Sequence, residues 1–231
     1  MFAVSPALLE KSRSVLCAWP RLIWLIGGSC SGKSTLSRAL AARLGVERYD
    51  VDEAVFGRFQ FDPQRHPATA AWSAADDPFG WMLSHDWETF SALYRATNAE
   101  TLDLLAGDLA GRPSTPLIVD GGISHPSVLA QVIPAGRIIC LETTDETRAR
   151  EWETAEGRAW MKNRVLAMPD GEGMWRRFLE YDRRLAELIG RESREWGIPA
   201  FAWDGGMTVE ELAERVIQHI TSAPTFHLAP A

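Results

Sequence analysis

The sequence is poor in the features that would commit it to a membrane, an oxidising compartment or a nucleic acid. No stretch approaches the roughly 18 consecutive apolar residues that a membrane span needs. Glu10, Lys11 and Arg13 interrupt the first twenty residues, which lack the basic start and apolar run of a cleaved leader. Three cysteines, Cys17, Cys30 and Cys140, lie too far apart for a disulfide framework or a zinc site and suit a reducing cytosol. Cations are outnumbered, with 24 Lys and Arg against 31 Asp and Glu and a net charge of −7. That balance argues against the basic face that broad nucleic-acid binding requires. No Asn-Lys-x-Asp-like segment precedes the last expected strand, which argues against a GTPase. The 13 prolines and 18 glycines are scattered, so no long linker is signalled, and no internal repeat is found. A cytoplasmic protein without membrane or nucleic-acid partners is expected, as a monomer or a homodimer.

The apolar fraction of 46% and charged fraction of 24% are those of a globular chain. Its 231 residues suffice for one well-filled domain with a sizeable lid, burying roughly 70% of the unfolded surface. Leu22-Ile23-Trp24-Leu25-Ile26 is a short apolar run stopped by Gly27-Gly28, the pattern of a strand buried on both faces. From Ser34 to Leu44 the apolar spacing turns helical, and Gly45 stops it. Weaker strand signals lie at 46–51, 117–122, 137–141 and 199–203, with helices expected at 86–111, 145–152, 175–196 and 209–220. Residues 60–85 hold Pro63, Pro67 and Pro78 with Trp72, Phe79 and Trp81, and predict an irregular, aromatic-rich insertion. The alternation predicts an α/β three-layer sandwich, its five-stranded sheet mostly parallel, with helices on both faces and a lid. A single domain is expected over 1–231. Within it lie an N-terminal extension at 1–20, a substrate-side insertion and helix at 59–111, a lid at 148–175 and a tail at 222–231.

Ligands of such sheets sit beyond the carboxyl ends of the strands, so chemistry is expected at Gly27, Asp50, Asp120 and Glu142. Gly27-Gly28-Ser29-Cys30-Ser31-Gly32-Lys33-Ser34 matches G-x-x-x-x-G-K-[ST] between a strand and a helix. There the backbone N–H groups and the helix dipole cradle phosphate oxygens. Lys33 would reach the β- and γ-phosphates of ATP, and the Ser34 hydroxyl would ligate Mg²⁺, with Thr35 closing the loop. Cys30 is either a thiol activated by the helix N-terminus or a small side chain that fits.

Asp120 ends an apolar strand where a metal-anchoring acid belongs, or else is an ordinary turn aspartate. Asp50 and Asp52 close Tyr49-Asp50-Val51-Asp52; if the strand stays extended, their carboxylates face one place. Asp50 would then hold magnesium-bound water and Asp52 would take a hydroxyl proton. The alternative is a solvated acidic loop. Arg148, Arg150, Arg158, Lys162, Arg164, Arg176 and Arg177 concentrate in one stretch of an otherwise acidic chain. Guanidinium forks suit a migrating phosphoryl group, and Gly157, Gly171 and Gly173 would let the segment close as a lid. The interleaved Glu151, Glu153 and Glu156 equally suit a charged helical surface.

Together these motifs resemble the small P-loop kinase superfamily, which includes shikimate, gluconate and nucleotide kinases and chloramphenicol phosphotransferase-like enzymes. The resemblance spans about residues 21–221 and implies a fold of the P-loop NTPase type. Tyr49-Asp50-Val51-Asp52 is similar to the acidic pair of shikimate kinases, in which the first acid serves magnesium and the second the substrate hydroxyl. It also implies that Leu117–Gly122 lines the acceptor pocket, that 148–164 is the lid and that Gly197–Ile220 borders adenine. The arginine pattern that grips the shikimate carboxylate is not evident after Asp52, and the tryptophan-bearing insertion matches no family segment. The expected activity is transfer of the γ-phosphoryl group of ATP to a small-molecule hydroxyl, with Arg148, Arg158 and Arg164 as candidate phosphoryl contacts. A nucleoside or nucleotide kinase and an NTP-binding regulator are the alternatives.

Overall fold

The structure, a computed structural model, describes residues 2–203 and 206–222. Helix α1 (Pro6–Leu16) precedes strand β1 (Leu22–Gly27), helix α2 (Lys33–Leu44), strand β2 (Glu47–Asp50) and the short helix α3 (Val51–Gly57). Two short helices, α4 (Pro67–Ser73) and α5 (Pro78–Ser84), lead into the long α6 (Trp87–Leu109). Strand β3 (Leu117–Asp120), α7 (Pro126–Leu129), β4 (Ile138–Glu142), α8 (Asp145–Thr154) and α9 (Ala159–Leu166) follow. The chain then runs through α10 (Gly171–Glu195), β5 (Ala200–Ala202) and α11 (Val209–Ser222). The expected tail lies, apart from Ser222, outside the described residues.

The five strands pair in the order β2-β3-β1-β4-β5, and every pairing is parallel. β1 is central and buried throughout. Because side chains alternate across a strand, Leu22, Trp24 and Ile26 enter one core layer while Ile23 and Leu25 enter the other. The first layer packs beneath α1 and α6, and the second beneath α2 and α11. Full burial of each such side chain contributes on the order of 1.5–3 kcal/mol, so the sheet's centre is the stiffest part of the molecule. Among the described residues no helix is long and apolar enough to cross a membrane.

Two local expectations change. Strand β2 stops at Asp50, and Asp52 lies in the first turn of α3 rather than on an extended strand. The reason is Asp50 itself, whose Oδ1 accepts the Glu53 N–H and so caps α3. The insertion is ordered rather than irregular: Pro67 and Pro78 stand in the first turns of α4 and α5. There the missing N–H costs nothing. The N-terminal segment contains a helix, α1, packed along α6.

Candidate active site

The turn from β1 to α2 builds an anion cradle. Gly32 precedes α2 with φ 84°, a left-handed conformation, and no side chain caps the helix start. A methyl group at Gly32 would overlap the Trp203 indole, so the loop and the segment after β5 are in close contact. Lys33 Nζ donates to the Gly28 carbonyl at 2.8 Å, inside its own loop. Among the described residues Ser31 Oγ is buried without a hydrogen-bond partner, as expected of a donor awaiting a phosphate oxygen. Of the two readings of Cys30, burial, which pushes its thiol up to about 11, favours the small side chain that fits. Its φ of 62° marks it as part of the loop's left-handed geometry.

The acids separate into two environments. Asp120 is 1% exposed and accepts from Ser37 Oγ (2.8 Å) and from Arg48 Nη2 (3.0 Å). Ser37 Oγ also reaches the Ser34 carbonyl, so Asp120 is tied to the turn that carries the exposed Ser34. Arg48 Nη2 binds Asp50 at 2.6 Å as well, clamping the ends of β2 and β3, where Asp50 and Asp120 are register partners. Asp52 stands apart from that clamp and lines the large cavity together with Lys33. Its Oδ1 accepts the Gly122 N–H at 3.0 Å, and its carboxylate lies where a Cβ at Gly121 would be. Asp52 is open to the cavity but walled in by protein. Loss of hydration raises its pKa above the ordinary carboxylate value, against the pull of Lys33 and the Gly122 N–H. Burial likewise lowers the Lys33 pKa, with Asp52 opposing.

The cavity has a volume of about 670 Å³. Gly27, Gly28, Ser29 and Lys33 form its phosphate end, and Arg158 and Arg164 reach it from the segment expected to be a lid. Arg158 stacks over Trp152 at 4.6 Å, and Arg164 pairs with Asp77 at 3.1 Å, joining α9 to the start of α5. Arg148 does not line this cavity. It is buried against Asp145 and Asp182 and borders a smaller cavity beside Gly28. Glu142, at the end of β4, borders the same small cavity and pairs with Arg194 at 3.0 Å.

Several residues that hold the site were not singled out from sequence. Arg48 had a signal, since it stands two positions before Asp50 and so shares its side of β2. Asn98, on α6, orients the loop after β3: its amide donates to the Gly122 carbonyl, and its Oδ1 accepts the Ser124 and His125 N–H groups. Glu100, 3% exposed, accepts the Ala68 and Thr69 N–H groups and so caps α4. Asp103, equally buried, binds Arg65 and His66; burial raises its pKa, but these donated hydrogen bonds prevail and hold it at about 2. These three partnerships join residues 24 to 38 positions apart, beyond any local pattern.

A glycine-rich turn, a lysine folded back onto that turn and a strand-end acid at the crest of a parallel sheet define a P-loop nucleotide-binding α/β protein. No family model matches the chain. Over 207 residues it is 26% identical to the shikimate kinase of Chlorobium chlorochromatii (strain CaD3), covering 87% of this chain and 93% of that protein. A 55-residue stretch is 47% identical to the shikimate kinase of Nitratidesulfovibrio vulgaris, 24% of this chain and 31% of that one. Among solved structures, shikimate kinase from Acinetobacter baumannii in complex with shikimate aligns at TM-score 0.47 and 19% identity, over 93% of this chain and 97% of the other. Over most of its length the chain is thus similar to shikimate kinases, which are small P-loop kinases.

Proposed function

We propose that this protein transfers the γ-phosphoryl group of magnesium-bound ATP to a hydroxyl of a small molecule. The observation that carries the reading is the shared cavity: Lys33 of the phosphate loop and Asp52 of α3 line one space. On that reading Asp52 draws the acceptor O–H proton, the oxygen bonds to the γ-phosphorus, and the bond from that phosphorus to the β-phosphate oxygen breaks to release ADP. Lys33 and the loop N–H groups hold the phosphates, while Arg158 and Arg164 offset charge on the migrating group. A buried Ser31 hydroxyl without a partner among the described residues and an uncapped helix start fit a polyphosphate.

Among the described residues no group of three or more acids, histidines or cysteines could hold a metal by itself. That suits Mg²⁺, which keeps water and phosphate oxygens and takes one or two protein carboxylates. Ser34, Asp50 and Asp120 are assigned to it, with Arg48 holding both carboxylates at the strand ends. The ion would neutralise phosphate charge. Arg148, held by two acids, is assigned to supporting Asp182 and the lid helix. A hydroxyl needs a base where an anionic acceptor does not, which favours this reading over a nucleotide kinase.

The test is ADP release with and without a panel of neutral and acidic alcohols. Acceptor-stimulated release is expected, and Lys33→Met should lower it by about 100-fold or more. Turnover that is indifferent to every acceptor, or full activity in Lys33→Met, would sink the reading.

A further inference from the structure

The acceptor half of the cavity is built almost wholly of apolar and neutral groups. Phe56 and Trp72 meet edge to face at 5.8 Å, while Phe79 packs on Phe178 at 5.7 Å. All four line the cavity, as do Phe90, Leu93 and Tyr94 of α6. The polar side chains beside them include the neutral Thr69, Thr97, Asn98, Thr101 and Ser124, while the acid Asp182 is held by the Trp152 N–H and Arg148. Among the described residues the cations lining the cavity are Lys33, Arg158 and Arg164. Lys33 and Arg158 act on one another and on Cys30 at the phosphate end, and Arg164, assigned to the migrating phosphoryl group, rests against Asp77. The arginines of the surrounding elements are turned to other partners: Arg58 to the Tyr49 ring, Arg65 to Asp103, Arg95 to Glu192. A carboxylate or phosphate held against these aromatic walls would therefore be desolvated with no cation of its own.

A second observation comes from the surface. Phe56 and Trp160, 74% and 61% exposed, are the two most exposed large hydrophobic side chains described, and both line this cavity. One belongs to α3 and the other to α9. Exposed aromatics at the rim of a concave apolar site mark a surface that a ligand covers.

We propose that the acceptor is an uncharged, ring-bearing alcohol, its apolar body against Trp72 and Phe79, its open side covered by Phe56 and Trp160, and its hydroxyl at Asp52. This rests on the phosphotransfer reading and narrows its substrate class. Aromatic walls favour a ring through offset and edge contacts, while the threonines and Asn98 offer hydrogen bonds to further hydroxyl or amide groups. An acidic polyol such as shikimate, or a nucleoside monophosphate, is disfavoured by the same walls.

The experiment separates binding from turnover. The full chain, loaded with a non-hydrolysable ATP analogue, is titrated calorimetrically with 1-phenylpropane-1,3-diol, shikimate and AMP. Phosphorus NMR with ATP then reports any product. The aryl diol should bind about tenfold or more tightly than either acid, which corresponds to about 1.4 kcal/mol, and should become phosphorylated. Phe56→Ala and Trp160→Ala, exposed positions where folding is not at stake, should each weaken it about three- to tenfold. Affinity for the ATP analogue should stay within about twofold. Tighter binding or faster phosphorylation of shikimate or AMP would overturn the substrate class and leave the kinase reading intact. Unchanged diol affinity in both variants would overturn it as well. Tight diol binding without a phosphorylated product, while no other alcohol reacts, would uphold the pocket and sink phosphotransfer.

Discussion

At the scale of single residues, the site depends on how Asp52 is placed and charged. Burial holds its pKa above the ordinary aspartate value near 3.9. A base works only when deprotonated, so kcat/KM should fall as pH drops through that raised pKa, at higher pH than an unshifted aspartate would give. Asp52→Asn should lower kcat by about 10²–10⁴-fold, erase the acid limb and leave ATP affinity within about twofold. A pH–rate profile of the variant with its acid limb intact would assign the proton to another group. Position 52 was legible as a candidate, but the physical reason differs from strand alternation: α3 begins at Val51, and the carboxylate is aimed by its bond to Gly122 and the close approach at Gly121. Arg48 shows the opposite case. Its spacing was visible, yet its role requires the β2–β3 register, which no local window contains.

At the scale of elements, the insertion between α3 and α6 is held by an aromatic-rich core shared with α6 and α10 and by buried charge beside it. Glu100 takes two backbone N–H groups and the Thr69 hydroxyl at the start of α4. Hydrogen bonds to a charged group are worth about 1.5–3 kcal/mol, and orphaned buried donors add to the loss. Glu100→Ala should therefore destabilise the protein by about 2–4 kcal/mol in denaturant unfolding. It should also raise KM for the acceptor more than KM for ATP, because α4 carries Trp72. Equal changes in both constants would mean that α4 does not shape the acceptor end. The prolines of this segment read as helix breakers in sequence and stand as helix starters in the fold, because the same fixed φ serves both roles. Only the partner contributed by α6 decides between them.

At the scale of the whole molecule, the sheet was the most legible feature, since strands buried on both faces appear as unbroken apolar runs. The large cavity was not, because its walls come from α3, α4, α5, α6, α8, α9 and α10 at once. Such a shared site couples ligand binding to global stability. A ligand at 100 times its dissociation constant adds about 2.7 kcal/mol, and in a chain of this size each kcal/mol moves Tm by about 2–4 °C. An ATP analogue should thus raise Tm by about 5–10 °C in differential scanning calorimetry. Lys33→Met should abolish the rise. A shift retained in that variant would place the nucleotide away from the loop.

The indoles distributed around the cavity have an optical consequence. Trp72 stands on the insertion, Trp160 on the segment after α8, and Trp203 against the phosphate loop at Gly32. Indole emission shifts to shorter wavelength as water leaves the ring, so occupation of the donor end and closure over the acceptor end act on different chromophores. The native chain therefore carries its own spectroscopic labels for the order in which its two substrates arrive.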